Sequence, residues 1–353
     1  MKKKIAVLYG GRSGEHEVSL RSAAAIMEGL KNLPDIEVLP VFITKEGSWQ
    51  LNGSLVTVLP DPDINGLYIL DGERAGNTVT IDVIFPALHG TYGEDGTVQG
   101  LLELVRIPYV GAGVAGSAVG MDKILMKAAL VAAGLPVGDY LWFTAYQWHQ
   151  EQAHWLAAVE EKLGFPCFIK PANLGSSVGI SKAYNQQELR HAIEVALQYD
   201  RRVIVEKFLT GQEIECSVLG NDDPQASLPG EIIPSNDFYD YRAKYIDDRS
   251  RIVIPAQLKP DTITKVRQLA VETFTTLDCA GLARVDLFVN EQTGEIWLNE
   301  INTMPGFTTI SMYPKMWEAS GLPFAELLQQ LIQLAEERFQ QKEALKTSFE
   351  LDE

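Results

Sequence analysis

Cationic side chains are in short supply in this chain. Thirty Lys and Arg against 47 Asp and Glu leave a formal net charge of −17 over 353 residues. Nucleic acid needs a basic footprint, so that class of partner is not expected. Any anionic ligand must be held by a local cluster of Lys and Arg, not by the overall field. Cysteine is equally sparse. Cys167, Cys216 and Cys279 sit apart in apolar or strand-like contexts, with no CxxC and no metal-type spacing. Reduced, buried thiols of a cytoplasmic protein are the expectation. Long apolar runs are missing too. Residues 124–137 are broken by Lys127 and Gly134, so no bilayer span and no membrane partner are expected. The apolar stretch behind Lys2, Lys3 and Lys4 stops at Gly10 and Gly11, which is too short for a signal-peptide core. There are no internal repeats and no low-complexity linkers.

What remains is ordinary globular composition, 46% hydrophobic and 22% charged, with length for two to three domains. Residues 5–9 read as a buried strand, followed by a turn at Gly10 to Gly14. A helix follows with Val18, Ala24, Ile26 and Leu30 on its apolar positions. Strands at 38–43 and 83–88, a helix at 98–105 and a brief strand at Tyr109-Val110 complete a parallel α/β layer ending near residue 120. Residues 47–80 carry several Gly, Pro and Asp and read as a surface excursion with short strands. Beyond it come helices at 122–133 and 186–196, strands at 168–170 and 203–206, and a mostly antiparallel sheet from 213–219, 231–233 and a hairpin over 282–302. A terminal amphipathic helix covers 323–339.

The hairpin carries the densest chemistry. Ala283, Val285, Leu287 and Val289 alternate with Arg284, Asp286 and Phe288, so Arg284 and Asp286 share one face of a strand. Glu300 and Asn302 are likewise two apart. Gly294 fits the left-handed position of a three-residue turn. Pairing Glu291 with Glu295 sets Asp286 opposite Glu300 and Arg284 opposite Asn302, with a bulge at Gly294 able to shift this by one residue. Facing carboxylates repel unless a cation lies between them. Asp, Glu and Asn oxygens suit Mg²⁺, which shares its shell with substrate phosphates. Arg284 offers a planar donor for the same phosphate. The competing reading is a pair of solvated charges on an exposed hairpin.

Other segments are less specific alone. Lys170 to Gly179, with Gly175, Ser176, Ser177 and Gly179, forms a loop whose N–H groups can close on phosphate oxygens, or a plain flexible loop. It is not a Walker loop. Lys170 and Lys123 are candidate phosphate cations or simple surface lysines. Glu206-Lys207-Phe208-Leu209 ends a strand that can seat a purine, with Glu213 on ribose, or can form an interdomain hinge. No G-x-G-x-x-G follows the first strand, which counts against a dinucleotide oxidoreductase.

Taken in order, these motifs resemble the D-alanine–D-alanine ligases of the ATP-grasp superfamily. The set is Gly10 to Ser19, His89-Gly90 with Gly93-Glu94-Asp95-Gly96, Lys170 to Gly179, Glu206-Lys207-Phe208, Tyr239-Asp240-Tyr241 with Lys244-Tyr245, and Asn299 to Gly306. The match runs from residue 4 to about residue 335. It implies three domains: an N-terminal parallel α/β substrate domain (1–121), a small central ATP-grasp subdomain (122–212) and a C-terminal mixed-sheet subdomain (213–340) with a lid loop at 236–250. It implies ATP between the last two, two Mg²⁺ (or Mn²⁺) on Asp286, Glu300 and Asn302, and a homodimer.

The implied reaction makes a peptidoglycan precursor in two steps. A D-alanine carboxylate attacks the γ-phosphate of ATP, giving an acyl phosphate and ADP. The amine of a second D-alanine then displaces phosphate. Charge develops on oxygen in both steps, where Arg284, the metal ions and the Gly306 N–H would stabilise it. Lys123, Lys170, Ser176, Ser177 and Lys244 would hold ATP phosphates. Glu206, Lys207, Phe208 and Leu209 would take adenine, and Glu213 the ribose. Glu15 would pair with the first substrate's ammonium, though by itself it merely opens a helix. His89 would lie near that substrate's carboxylate, though a lone His after a strand is more often a satisfied structural residue. Ser176 and Tyr245 would link to Glu15 and close the lid, excluding water. Ser311 and Met312 match positions that receive the second carboxylate. Lys244-Tyr245 resembles the dipeptide-forming type, not the D-lactate-using one. Two alternatives remain at this point: an ATP-grasp ligase with another second substrate, and a nucleotide-binding regulator without catalysis.

Overall fold

The computed structural model describes residues 2–61, 63–175, 178–233, 251–308 and 310–346. In chain order the first part holds β1 (Lys3–Gly10), α1 (His16–Lys31), β2 (Ile36–Ile43), β3 (Trp49–Leu51), β4 (Ser54–Val58), β5 (Gly66–Ile69), β6 (Thr78–Thr80), β7 (Val83–Pro86), α2 (Thr97–Leu104) and α3 (Val114–Met121). These seven strands make one sheet in the order β6-β5-β4-β3-β2-β1-β7. Only β2, β1 and β7 are parallel. The expected parallel layer is therefore three strands wide. Residues 47–80, expected as a surface excursion with short strands, do form short strands, and these extend the sheet as an antiparallel meander whose Leu51, Val56, Val58, Leu67 and Ile69 share one core with Ala6, Leu8 and Val41. Tyr109 contributes a single bridge to Ile84, not a strand.

The next sheet is built from β8 (Tyr140–Thr144), β9 (Cys167–Pro171), β10 (Ser181–Ala183) and β11 (Arg202–Lys207), all antiparallel, in the order β10-β9-β11-β8. Four helices accompany it: α4 (Lys123–Ala132), α5 (Ala145–Gln150), α6 (Gln152–Lys162) and α7 (Gln186–Ala196). One face of the sheet, with Cys167, Ile169, Val203 and Val205, packs on Trp148, Leu156, Leu189 and Ile193. The alternation leaves Lys170, Ile204 and Glu206 on the other face. Asp122 caps α4 by accepting from Ile124 N and Leu125 N at 3.1 Å each, and it also pairs with Arg202.

The last sheet holds β12 (Gln212–Gly220), β13 (Gln225–Ala226), β14 (Gly230–Ile233), β15 (Arg251–Val253), β16 (Gly281–Asn290) and β17 (Glu295–Asn302), antiparallel throughout the described residues. Helix α8 (Pro260–Thr276) lays Val266, Ala270 and Phe274 under Val285, Leu287 and Leu298. Helices α9 (Met312–Ala319) and α10 (Phe324–Glu343) follow. The last of these does not cover its own sheet alone. Leu327, Leu328, Leu331 and Ile332 join Ile5, Val7, Ile26 and Leu30 in a single core, which fixes the first sheet to the end of the chain. Gly29 permits this approach: a Cβ there would come within 2.5 Å of Leu328. On α1 the buried positions include Val18, Ser22, Ala23, Ile26 and Leu30, while Ala24 faces out, one position off the expected stripe.

Asp122→Ala removes the cap of α4 and leaves Arg202 unpartnered by it, so the chain should lose about 2 kcal/mol of stability. Asp122→Asn, which keeps the cap, should lose less. Urea unfolding followed by far-UV circular dichroism checks both values.

Candidate active site

Register decides which side chains meet on the last sheet. Arg284 pairs with Asn302, Val285 with Ile301 and Asp286 with Glu300, as the sequence spacing required. Near the turn the pairing differs: Asn290, not Glu291, faces Glu295. The turn is thus one residue longer than expected. Gly294 has φ +77° as anticipated, and its N–H donates to Asn290 O at 2.8 Å. A bulge between Asp286 and Leu287 restores the register, with Asn299 as the extra residue on β17. The apolar spacing of three between Leu298 and Ile301, in an otherwise period-two strand, is its signature in the sequence.

Arg284 makes a two-pronged bond to Asp286, Nε to Oδ1 at 2.7 Å and Nη2 to Oδ2 at 2.6 Å. Glu215 Oε2 stands 3.1 Å behind Nε, and Asn302 Nδ2 donates to Asp286 Oδ2 at 3.1 Å. Burial disfavours the guanidinium charge, but Asp286, Glu215 and Glu300 outweigh it and hold Arg284 firmly protonated. Glu215 escaped the sequence reading, although Glu213 and Glu215 share a strand face. Asp286, Glu300 and Asn302 form an all-oxygen donor set that suits a hard cation, with Arg284 now supplying the positive charge. Among the described residues no group of three His, Cys, Asp or Glu could hold a metal unaided. A cation there depends on two carboxylates, one carboxamide and oxygens brought by a phosphate ligand.

A second cluster lies on the polar face of the central sheet. Glu206 Oε2 meets Lys170 Nζ at 2.5 Å, and Oε1 meets Lys127 Nζ at 3.0 Å. Burial would raise the Glu206 carboxyl, yet Lys127 and Lys170 pull it down to about 2. Lys123, one turn before Lys127 on α4, donates to Leu174 O at 2.7 Å at the start of the Gly/Ser loop. Lys207 is exposed and lies 3.6 Å from Asp139. Phe208 stacks tilted on Phe168 at 6.1 Å, and Leu209 closes on Gly138. Glu213 pairs in register with Phe288, next along the strand from the Glu215–Asp286 pair.

A third set comes from the first sheet. Glu15 is buried between two glycines: a Cβ on Gly90 would come within 2.4 Å of its Oε2, and one on Gly175 within 2.9 Å. The Gly/Ser loop thus reaches the carboxylate that opens α1. Glu94, which sequence reasoning passed over, accepts from Gly90 N at 2.7 Å and Met304 N at 3.3 Å. Burial, then the nearby Glu15 charge, pushes its carboxyl up to about 8. His89 bonds Met304 O through Nδ1 at 3.0 Å and Ser22 Oγ through Nε2 at 2.9 Å, and Ser22 Oγ accepts from Phe307 N at 3.3 Å. Burial keeps the imidazole neutral, with its pKa lowered to about 4. Both ring nitrogens are engaged with protein groups, so His89 braces the 304–307 turn. That turn carries Gly306, whose added Cβ would lie 2.9 Å from Ser311 Oγ. Ser311 Oγ bonds Thr308 N at 3.0 Å and Thr308 Oγ1 at 2.7 Å. Met312 buries its side chain with Ile232 and Met316, leaving only its N–H at the start of α9. Ser176, Ser177, Lys244 and Tyr245, with the segment 236–250, lie outside the described residues. The three thiols are buried and free, and burial pushes each up to about 12, which makes them inert.

A four-stranded and a six-stranded antiparallel sheet facing each other across buried lysines, with an acid–amide pair on the hairpin, define an ATP-grasp carboxylate–amine ligase. Family models described as "D-ala D-ala ligase N-terminus" and "D-ala D-ala ligase C-terminus" match residues 4–112 and 125–333. The chain belongs to the D-alanine–D-alanine ligase family. A "D-alanine--D-alanine ligase" of Natranaerobius thermophilus is 50% identical over 99% of both chains. One of Solibacter usitatus is 51% identical over 97% of this chain and 98% of its own. Among solved structures, the D-alanine-D-alanine ligase from Coxiella burnetii superposes with TM-score 0.83 at 37% identity, covering 97% and 96% of the two chains. The VanG D-Ala:D-Ser ligase from Enterococcus faecalis gives 0.85 at 37%, covering 95% and 100%.

Glu94 yields a signed prediction. A carboxyl raised in the fold contributes stability below its ordinary range and loses it as pH rises towards about 8. Glu94→Gln removes that loss but keeps only one of the two acceptor oxygens that Gly90 N and Met304 N use. Its melting temperature should fall below the parent's near pH 5, and the deficit should shrink or reverse by pH 8, at about 2–4 °C for each kcal/mol. Differential scanning calorimetry at the two pH values checks this, and a gap that does not change with pH would contradict it.

Proposed function

We propose that the chain joins two D-alanines into D-alanyl-D-alanine, converting ATP to ADP and phosphate through an acyl phosphate, for peptidoglycan precursor synthesis. The observation that carries this reading is the hairpin in which Arg284, Asp286, Glu300 and Asn302 share one face, ending in the 304–307 turn that His89 and Glu94 tie to Glu15's pocket. Glu15 takes the ammonium of the first D-alanine. Arg284 and the Gly306 N–H receive the charge that develops on its carboxylate and then on the tetrahedral oxygen. Ser311 and the Met312 N–H receive the second carboxylate. Lys123 and Lys170 hold ATP phosphates, Glu206 to Leu209 seat adenine, and Glu213 holds ribose. Ser176, Ser177, Lys244 and Tyr245 keep the roles the family resemblance gives them. Asp286, Glu300 and Asn302 hold two Mg²⁺, which neutralise phosphate charge when bound.

The division into 1–121, 122–212 and 213–340 is supported by one sheet falling in each range. We propose a cytoplasmic location, which the buried thiols and the use of ATP support. We also propose a homodimer, as the resemblance implies. Light scattering behind size exclusion should give about twice 39.0 kDa; a monomer mass overturns it.

Phosphate release with Mg·ATP should require D-alanine and yield the dipeptide by chromatography. No release from folded protein would overturn the enzyme reading, and equal turnover with D-serine or D-lactate as second substrate would overturn the specificity. Glu300→Gln should fold normally and lower kcat by about 1000-fold. Near-normal turnover would remove Glu300 from the metal set.

A further inference from the structure

Lys127 has no role in any part of the reaction above, yet it is among the most deeply buried charges in the chain. Its side chain is 4% exposed. It projects from α4 one turn beyond Lys123, so both lysines lie on the same face of the helix. Its Nζ touches two groups from two different sheets. One is Glu206 Oε1 at 3.0 Å, on β11. The other is the carbonyl of Asn299 at 3.2 Å, the residue that bulges from β17 directly before Glu300. The Asn299 side-chain oxygen accepts from Lys170 Nζ at 3.5 Å, closing a ring of two lysines, one glutamate and one amide.

A buried carboxylate shared by two ammonium groups has more positive charge than it needs while no nucleotide is present. The surplus has a use once Lys170 turns towards phosphate. Without Lys127, Glu206 would then be left in a low-dielectric pocket with no counter-charge and would take up a proton. A carboxylate accepts from the exocyclic amine of adenine; a carboxylic acid can instead donate to a 6-oxo purine. Oε1, although 3.0 Å from Lys127, takes no well-directed hydrogen bond among the described residues, so this buried oxygen has an acceptor position open for such an amine.

We propose that Lys127 is a positioning residue for nucleotide recognition: a resident counter-charge that keeps Glu206 an acceptor for the 6-amino group while Lys170 serves the phosphates. The inference rests on the adenine and phosphate assignments of the preceding subsection.

The test compares ADP with IDP, which carries a carbonyl where ADP has the amine, in binding measured by titration calorimetry. Lys127→Met should weaken ADP about tenfold and leave IDP unchanged or tighter, so that the ratio of the two falls about tenfold. The KM for ATP should rise in step, with the KM for D-alanine unmoved. Lys127→Arg should restore most of the ratio. If Lys127→Met does not fold, Lys127→Gln, which keeps a donor for Asn299 O and drops the charge, carries the same comparison. A merely structural role would weaken ADP and IDP equally, and that result overturns the proposal. Glu206→Gln separates the two layers of the argument. If it leaves the ADP:IDP ratio at the parent value, the adenine assignment itself fails. If it collapses the ratio and the Lys127 variants do not, the assignment stands and the role of Lys127 is wrong.

Discussion

The fork that Arg284 makes on Asp286, with Glu215 at its back and Glu300 across the ladder, balances a sheet face that otherwise gathers carboxylates in a poorly solvated place. A chain with net charge −17 cannot rely on its general field to collect ATP and two amino-acid carboxylates. It needs cations held at fixed points. Lys170, Lys127 and Lys123 are buried and Arg284 is half-buried, and the fold holds each against a group on another strand or loop. Holding them costs desolvation, which the partner carboxylates offset.

Around this charge balance the three sheets are tied by short polar straps as well as by packing. Met304 is held on both sides, its N–H by Glu94 and its carbonyl by His89. Ser22 continues the strap to Phe307. The first sheet therefore positions the turn that carries Gly306, while the terminal helix holds that sheet in place through Leu327, Leu328 and Leu331. A neutral His89 is suited to this work, since one ring nitrogen donates and the other accepts.

Much of the site was legible because it lies in segments whose periodicity is strict. The alternation through Arg284, Val285 and Asp286 gives the face, and Asp286 meets Glu300 as expected because the longer turn and the Asn299 bulge offset each other. Less legible was whatever depends on long-range contact. Lys127 reads locally as a break in an apolar helix, and only the fold shows Glu206 and Asn299 beside it. Glu94 reads as a loop acid until Met304 arrives from 210 positions away. Helix α8 was missed because Thr, Lys, Arg and Gln dilute its stripe of Val266, Ala270 and Phe274. The short strands at 47–80 are legible, but their joining the first sheet is a long-range pairing that three to five residues of alternation do not specify. The lid positions, with Ser176, Ser177, Lys244 and Tyr245, rest on resemblance alone.

The bulge at Asn299 has a meaning separate from the pairing it interrupts. Leu298 opposite Leu287 and Glu300 opposite Asp286 are the partners a regular ladder would give if Asn299 were absent. The inserted residue is therefore not what sets Glu300 opposite Asp286. It turns a backbone carbonyl and a carboxamide out of an edge strand towards two lysines on neighbouring elements. One hairpin thus carries two separable devices, one written in the ladder and one in a single supernumerary amino acid, so lineages could gain or lose the second without disturbing the first.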